Sequence, residues 1–121
     1  MTTSLVDRVG FGVGLDTLVY FANTNLGTTP VKVTLPDVTA NGGLKGFVKA
    51  KIVNPNPTAV LAWGIVARGA TAPTITAAFT GDGSHILPGQ TEYLVLDGLV
   101  DLYIVADTAS SSYSVTSDLF R

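Results

Sequence analysis

Short apolar segments separated by turn residues dominate this sequence and limit its fold more than any other feature. Thirteen glycines and six prolines interrupt runs that are rich in Val, Ile, Thr and Tyr. Such runs, with turn signals about every 8–12 residues, are typical of all-β proteins. No window of the sequence sustains the i, i+3, i+4, i+7 apolar spacing of an amphipathic helix. The sequence therefore predicts an all-β fold.

Eight segments carry strand signals. The clearest alternation lies in residues 46–53. It places Val48, Ala50 and Ile52 on one face and two lysines on the other. Residues 59–68 are apolar on both sides, as expected for a central strand. The eight predicted strands are 17–22, 31–35, 46–53, 59–68, 74–79, 91–96, 99–106 and 112–117.

Turn chemistry falls between these segments. Pro88-Gly89 fits the centre of a type II turn, since proline fixes φ and glycine tolerates positive φ. Asp97-Gly98 separates two predicted strands and is typical of a two-residue β-hairpin. The Asn-Pro-Asn-Pro sequence at 54–57 is unsuited to a paired strand, because proline lacks an N–H donor. We predict an antiparallel β-sandwich of about eight strands, with a jelly roll as one arrangement.

The first 16 residues have a different pattern. They place Val9, Phe11 and Val13 between alternate glycines, which weaken an isolated strand. We therefore divide the 121 residues into an N-terminal arm, 1–16, that is flexible or pairs with a sheet edge, and one sandwich domain, 17–121. An ordinary first strand or a frayed terminus is the alternative.

Charged groups are unusually scarce. They make up 13% of the residues, against about 25% in a typical domain, and the mean hydropathy is +0.41. A surface so poor in charge is typical of subunits that bury part of it in an assembly. The net charge of −2 argues against a nucleic-acid partner. No apolar run approaches the ~20 residues of a membrane helix, so we expect no membrane partner.

The charges that remain are unevenly distributed. Residues 1–60 carry five basic and three acidic groups, whereas residues 61–121 carry two basic and six acidic groups. This split indicates either complementary faces between subunits or chance distribution over a solvated surface. Lys45, Lys49 and Lys51 form a basic strip that either contacts an acidic neighbour or discourages edge-to-edge aggregation.

Residues with catalytic or metal-binding chemistry are sparse. The absence of cysteine excludes disulfides and thiolate nucleophiles. His85 is the single histidine, and its neighbours Ser84 and Asp82 are too close in sequence for a preorganised triad. One histidine without cysteine leaves zinc or copper short of ligands, and the acidic residues follow no calcium-loop pattern. We predict no enzyme, no cofactor and no metal site.

Aromatic residues offer a binding surface instead. In the strand predicted at 99–106, Tyr103 and Val105 share the face opposite Leu102 and Ile104. An outward tyrosine fits a protein interface or a sugar-stacking platform. The candidate interface residues are Tyr103, Val105 and Tyr113, together with Val9, Phe11 and Val13 of the arm.

The second half of the chain, residues 50–121, contains a series of recognisable segments. They are Val53-Asn54-Pro55-Asn56-Pro57, the Trp63 strand, Ile86-Leu87-Pro88-Gly89-Gln90, Tyr93-Leu94-Val95-Leu96-Asp97-Gly98, Tyr103-Ile104-Val105-Ala106 and Tyr113-Ser114-Val115-Thr116. In these segments the chain resembles small virion proteins of tailed and related bacteriophages. Such proteins are β-sandwich decoration, cement or spike subunits, usually trimeric or otherwise symmetric on a capsid.

The resemblance implies a capsid-decorating or cement protein located in the virion. Its expected partners are other copies of itself, with a trimer favoured, and/or a major capsid protein, and no catalytic residue is implied. The alternative that the tyrosines support is a carbohydrate-binding or adhesion β-sandwich module.

Overall fold

The computed structural model describes residues 19–36, 47–75, 84–97 and 99–120. Within these ranges it contains eight β-strands and no helix, which confirms the predicted all-β fold. The strands are β1 (Val19–Leu26), β2 (Val31–Lys32), β3 (Phe47–Val53), β4 (Leu61–Ala67), β5 (Ser84–Ile86), β6 (Thr91–Asp97), β7 (Val100–Ala106) and β8 (Ser111–Phe120).

The strands form two antiparallel four-stranded sheets, as expected for a β-sandwich. Sheet A has the order β1-β8-β3-β6, and sheet B has the order β2-β7-β4-β5. The pairing is nested, since β1 pairs with β8, β2 with β7, β3 with β6, and β4 with β5. Two further pairs, β3 with β8 and β4 with β7, complete the sheets. Of the successive strand pairs, β4 and β5 alone lie in the same sheet.

Side chains from both sheets fill the core between them. In β3, Val48, Ala50 and Ile52 point inward, as the alternation predicts. Full burial of an Ile or Leu side chain contributes about 1.5–3 kcal/mol, so this layer is the main source of stability. The other buried members are Leu26, Val33, Leu61, Ile86, Leu94, Leu96, Leu102, Ile104, Ala106, Tyr113 and Val115.

The predicted hairpin at Asp97-Gly98 is wrong. β6 pairs with β3 in sheet A, whereas β7 pairs with β2 and β4 in sheet B. The chain reverses direction there but passes from one sheet to the other. The Asp97 carboxylate accepts a hydrogen bond from the main-chain N–H of Leu99, 3.0 Å away. Turn residues indicate that the chain turns, but they do not indicate which two strands pair with each other.

The fifth predicted strand is also corrected in the described residues. Residues 74 and 75 belong to no strand, and residues 76–79 lie outside the described ranges. The strand that pairs with β4 is Ser84–Ile86, which sequence analysis missed. Three residues are too few to show an alternation of apolar and polar side chains, so the sequence does not indicate this strand.

A network of buried asparagine side chains connects several segments at one end of the sandwich. The Asn54 side chain is fully buried and donates from Nδ2 to the carbonyls of Ala59 at 2.9 Å and Ile86 at 2.8 Å. Its Oδ1 accepts from the main-chain N–H and the Nδ2 of Asn56. Asn56 in turn exchanges two hydrogen bonds of 2.8 Å with the main chain of Ser112. The network ties the segment after β3 to β5 and β8.

The Pro88-Gly89 turn has the predicted geometry. Gly89 has a φ of 77°, and the N–H of Gln90 donates to the carbonyl of Leu87 at 3.0 Å. The turn is anchored to the asparagine network, because the N–H of Gly89 donates to the carbonyl of Asn54. This confirms proline at the first central position and glycine at the second.

Candidate interaction surface

Part of the outer face of sheet B is covered by the protein's own chain. Val60, Ala62 and Val105 form a second buried cluster there, and Ile75 packs against it. Gly64 permits this approach, since a Cβ at that position would lie 3.1 Å from Cγ2 of Ile75. The segment that follows β4 therefore protects this part of the face from solvent.

The outer face of sheet A is exposed. Four large apolar side chains project from it, and each is at least 60% exposed: Tyr20 at 69%, Phe47 at 60%, Tyr93 at 72% and Val95 at 66%. We call these four residues the apolar patch. Phe47, Tyr93 and Val95 lie on the adjacent strands β3 and β6, whereas Tyr20 lies on β1 at the other edge of the sheet. Exposed apolar side chains that share one face mark a candidate site of interaction.

Strand register arranges this face in rows across the sheet. Tyr20 is opposite Thr116, Thr116 is opposite Lys51, and Lys51 is opposite Tyr93. This tyrosine row therefore spans all four strands, with an aromatic side chain at each end. Since neighbouring strands lie about 4.8 Å apart, the two ends are about 14 Å from each other.

A second row on this face contains two residues of opposite charge. Lys49 of β3 is opposite Asp118 of β8 on one side and Val95 of β6 on the other. Asp118 is buried, although it belongs to the outward-facing set of β8. We call Asp118, Lys49 and Val95 the charged row. A shallow depression of about 350 Å³ lies over both rows, between β6, β3 and β8.

Groups with catalytic or metal-binding chemistry do not converge in the described part of the chain. No three His, Asp or Glu side chains there are close enough to hold a metal ion. His85 lies on β5, opposite Ala62 of β4 and away from the apolar patch. Three aspartates accept hydrogen bonds from main-chain N–H groups: Asp97 from Leu99, Asp101 from Gly69, and Asp107 from Val60.

The sequence-predicted interface residues are placed apart from one another. Tyr103 is half-buried on β7, opposite Lys32 and Gly64 on the outer side of sheet B. Val105 is fully buried beneath the covering segment, and Tyr113 is 2% exposed and belongs to the core. In this structure the protein's own residues thus enclose Val105 and Tyr113. The arm residues lie outside the described ranges: Val9, Phe11 and Val13.

The environment of Tyr113 alters its acidity. Burial raises the pKa of its hydroxyl, because the phenolate would lose its hydration in the core. Tyr113 therefore remains neutral at pH 7 and serves in packing.

Sequence reasoning missed the apolar patch, although the signal was present. In β6, alternation sets Tyr93 and Val95 opposite the buried Leu94 and Leu96. The same period of two predicts outward apolar residues there as clearly as it predicts the inward ones. The two rows could not be predicted in this way. Cross-strand register depends on strand order, which a single sequence does not reveal.

Comparison with known proteins adds no family. The chain matches no protein-family model, and a search of curated proteins finds no significant match. In the described ranges, no helix has the length and hydropathy that crossing a bilayer requires.

Proposed function

We propose that this protein is a structural subunit of a virus particle, acting as a capsid-decorating or cement protein. The observation that carries the proposal is the apolar patch on sheet A. A surface of this kind is unfavourable in water and becomes stabilising when other subunits cover it. The scarcity of charge in the sequence, 13% of residues, points the same way.

The size of the patch supports a role based on contact. From their exposed fractions, the four side chains present on the order of 500 Å² to solvent. Covering that area contributes on the order of 10 kcal/mol per copy before the cost of association is subtracted. On a symmetric lattice the same contact repeats in every copy, so a modest net gain per subunit becomes a large stabilisation of the particle.

The strand order also favours this role. Nested pairing of eight strands in two four-stranded sheets is the arrangement we propose to be a jelly roll. Jelly rolls recur in viral capsid proteins and also in lectins. The fold therefore supports the proposal by analogy, and the apolar patch carries it.

Carbohydrate binding is a second candidate function. It is favoured by the exposed aromatic rings of Tyr20 and Tyr93, which lie at the two ends of the row that contains Lys51. Aromatic faces stack on the apolar faces of sugars, and a lysine can donate hydrogen bonds to their hydroxyls. A glycan array distinguishes this function, because specific binding that is lost in Tyr93→Ala would favour the sugar-binding role.

Association with particles tests the leading proposal. Particles are purified by density gradient from the source that carries the gene, and an antibody against the protein follows its position. We expect the protein to band with the particles at a fixed ratio to the major capsid protein. Particles from which this protein has been removed should bind the added wild-type chain again. They should bind at least tenfold less of the Tyr93→Lys variant than of wild type. A protein that stays wholly in the soluble fraction contradicts the proposal.

A further inference from the structure

We infer that the outer face of sheet A packs against the same face of a second copy of this chain, around a two-fold axis parallel to the strands. The inference rests on the proposed assembly role and names one partner for the surface described above. Three observations carry it: the strand order of the sheet, the signs of the charges and the area of the face.

Strand order determines what such an axis brings together. A rotation about an axis between β8 and β3 places β1 over β6 of the partner and β8 over β3 of the partner. The rotation keeps each residue at the same position along the strand direction. Each row therefore faces the same row of the partner subunit, with the order of its residues reversed. Tyr20 then faces Tyr93 of the partner subunit, and the aromatic rings that are exposed in one copy cover each other.

Charge makes this arrangement self-complementary. The charged row places Asp118 over Lys49 of the partner subunit, and Lys49 over Asp118 of the partner subunit. Asp118 is buried, and both residues already have interactions within their own chain. The axis therefore alternates opposite charges around it without removing either group from those interactions. An axis perpendicular to the strands would instead set β3 over β3, with lysine facing lysine. The electrostatics of the face thus favour the parallel axis.

The area of the face is sufficient for a specific contact. Four strands spaced by about 4.8 Å, each about seven residues long, form a face of roughly 19 by 23 Å. Two such faces together bury on the order of 1,000 Å², close to the lower end of specific protein interfaces. A two-fold contact here is compatible with contacts of other symmetry elsewhere on the molecule, including the trimer that the phage resemblance implies.

Site-directed cross-linking tests the inference directly, because the chain has no cysteine of its own. Tyr20→Cys and Tyr93→Cys are prepared separately, mixed, and treated with a bismaleimide that spans about 10 Å, the usual separation of packed sheets. We expect the mixture to give a covalent dimer, and each variant alone to give at least fivefold less. Tyr93→Cys mixed with Ala70→Cys, an exposed position after β4, is the matched control.

The wild-type chain is measured in parallel, since either cysteine substitution removes a tyrosine from the contact. Sedimentation should show a dimer that Val95→Lys dissociates, with circular dichroism confirming that the variant is folded. A monomeric wild type at 100 µM overturns the inference, and so does preferential cross-linking of Tyr93→Cys to itself. If the wild type is monomeric, the remaining candidates for covering the face are residues 1–18 of the same chain or a different protein.

The two proposals fail in different ways. A monomer that bands with particles contradicts the two-fold contact and leaves the virion role standing. A cross-linked dimer that never bands with particles contradicts the virion role and leaves the contact standing.

Discussion

Asn54 joins several segments of the chain at one end of the sandwich. Its buried side chain satisfies two main-chain carbonyls and receives two hydrogen bonds from Asn56. The two prolines predict that residues 54–57 lie outside the strands, but the sequence pattern gives no reason for the two asparagines. Their function is visible only when distant parts of the chain, Ile86 and Ser112, come together around them.

We expect Asn54→Ala to lower the free energy of unfolding by roughly 2–4 kcal/mol, because it leaves buried carbonyls without donors. Asn54→Asp should cost at least as much, since a carboxylate keeps an acceptor and donates nothing to Ala59 or Ile86. Urea unfolding measures both variants. Asn25→Ala, at an exposed position of β1, serves as the control and should change stability by less than about 0.5 kcal/mol. An Asn54→Asp variant as stable as wild type would contradict the donor role.

Ser110 is held in an unfavourable backbone conformation. It has a φ of 59° in the turn between β7 and β8, a region that glycine occupies without strain. We expect Ser110→Gly to raise the melting temperature, with a stabilisation of about 0.5–1 kcal/mol. Ala109→Gly, in the same turn, should be neutral or destabilising. Equal effects of the two substitutions on the melting temperature would show that the positive φ of Ser110 does not destabilise the protein.

Tyr113 gives the protein a specific response to alkaline pH. Burial raises the pKa of its hydroxyl above the value of about 10 that it has in the unfolded chain. Both states are neutral below that pH, and above it the unfolded state loses the proton first. Stability should therefore fall as the pH rises above about 10. In urea titrations at pH 9 and pH 11, Tyr113→Phe should show a smaller loss than wild type, and an equal loss would contradict this account.

Local pattern predicted most of the elements well. The alternation in β3 gives the correct faces, because a buried face imposes a period of two on the sequence. The apolar character of β4 correctly predicts a central strand, since β4 lies between β7 and β5. The ends of β1 were predicted less well, since the polar residues Asn23 and Asn25 belong to a strand. Pairing with β8 maintains this segment as a strand despite its weak propensity. The missed strand β5 owes its existence to β4 in the same way.

The covering segment of sheet B depends on the absence of a side chain at Gly64. A Cβ there would approach Ile75 Cγ2 to 3.1 Å, so Gly64→Val should displace the segment and cost about 1–3 kcal/mol. Combining it with Ile75→Ala should cost at least 0.5 kcal/mol less than the sum of the single changes. Gly27→Ala, where no atom lies within 4 Å, is the control. Chemical denaturation provides all four values, and strict additivity would contradict the proposed contact.

At the scale of the whole molecule, nested pairing accounts for part of the uneven distribution of charge. Lys49 and Lys51 of the more basic first half lie on β3, between β6 and β8 of the more acidic second half. Lys49 is opposite Asp118 of β8, and Asp97 of β6 is opposite Phe47, two residues before Lys49. Lys45, the third residue of the basic strip, lies outside the described ranges. The scarcity of charged residues predicts that some surface is buried in an assembly. Which surface that is depends on strand order and register, and these arise from contacts between segments distant in sequence.

The central claim is that the outer face of sheet A is covered in the functional assembly, and the concentration dependence of mass tests it most directly. Sedimentation equilibrium is measured from 1 to 100 µM on wild type and on Tyr93→Lys. We expect wild type to associate and Tyr93→Lys to remain monomeric, because a lysine ammonium resists desolvation within an apolar contact. Identical monomeric masses for both proteins across this range would contradict the claim that copies of the chain cover this face.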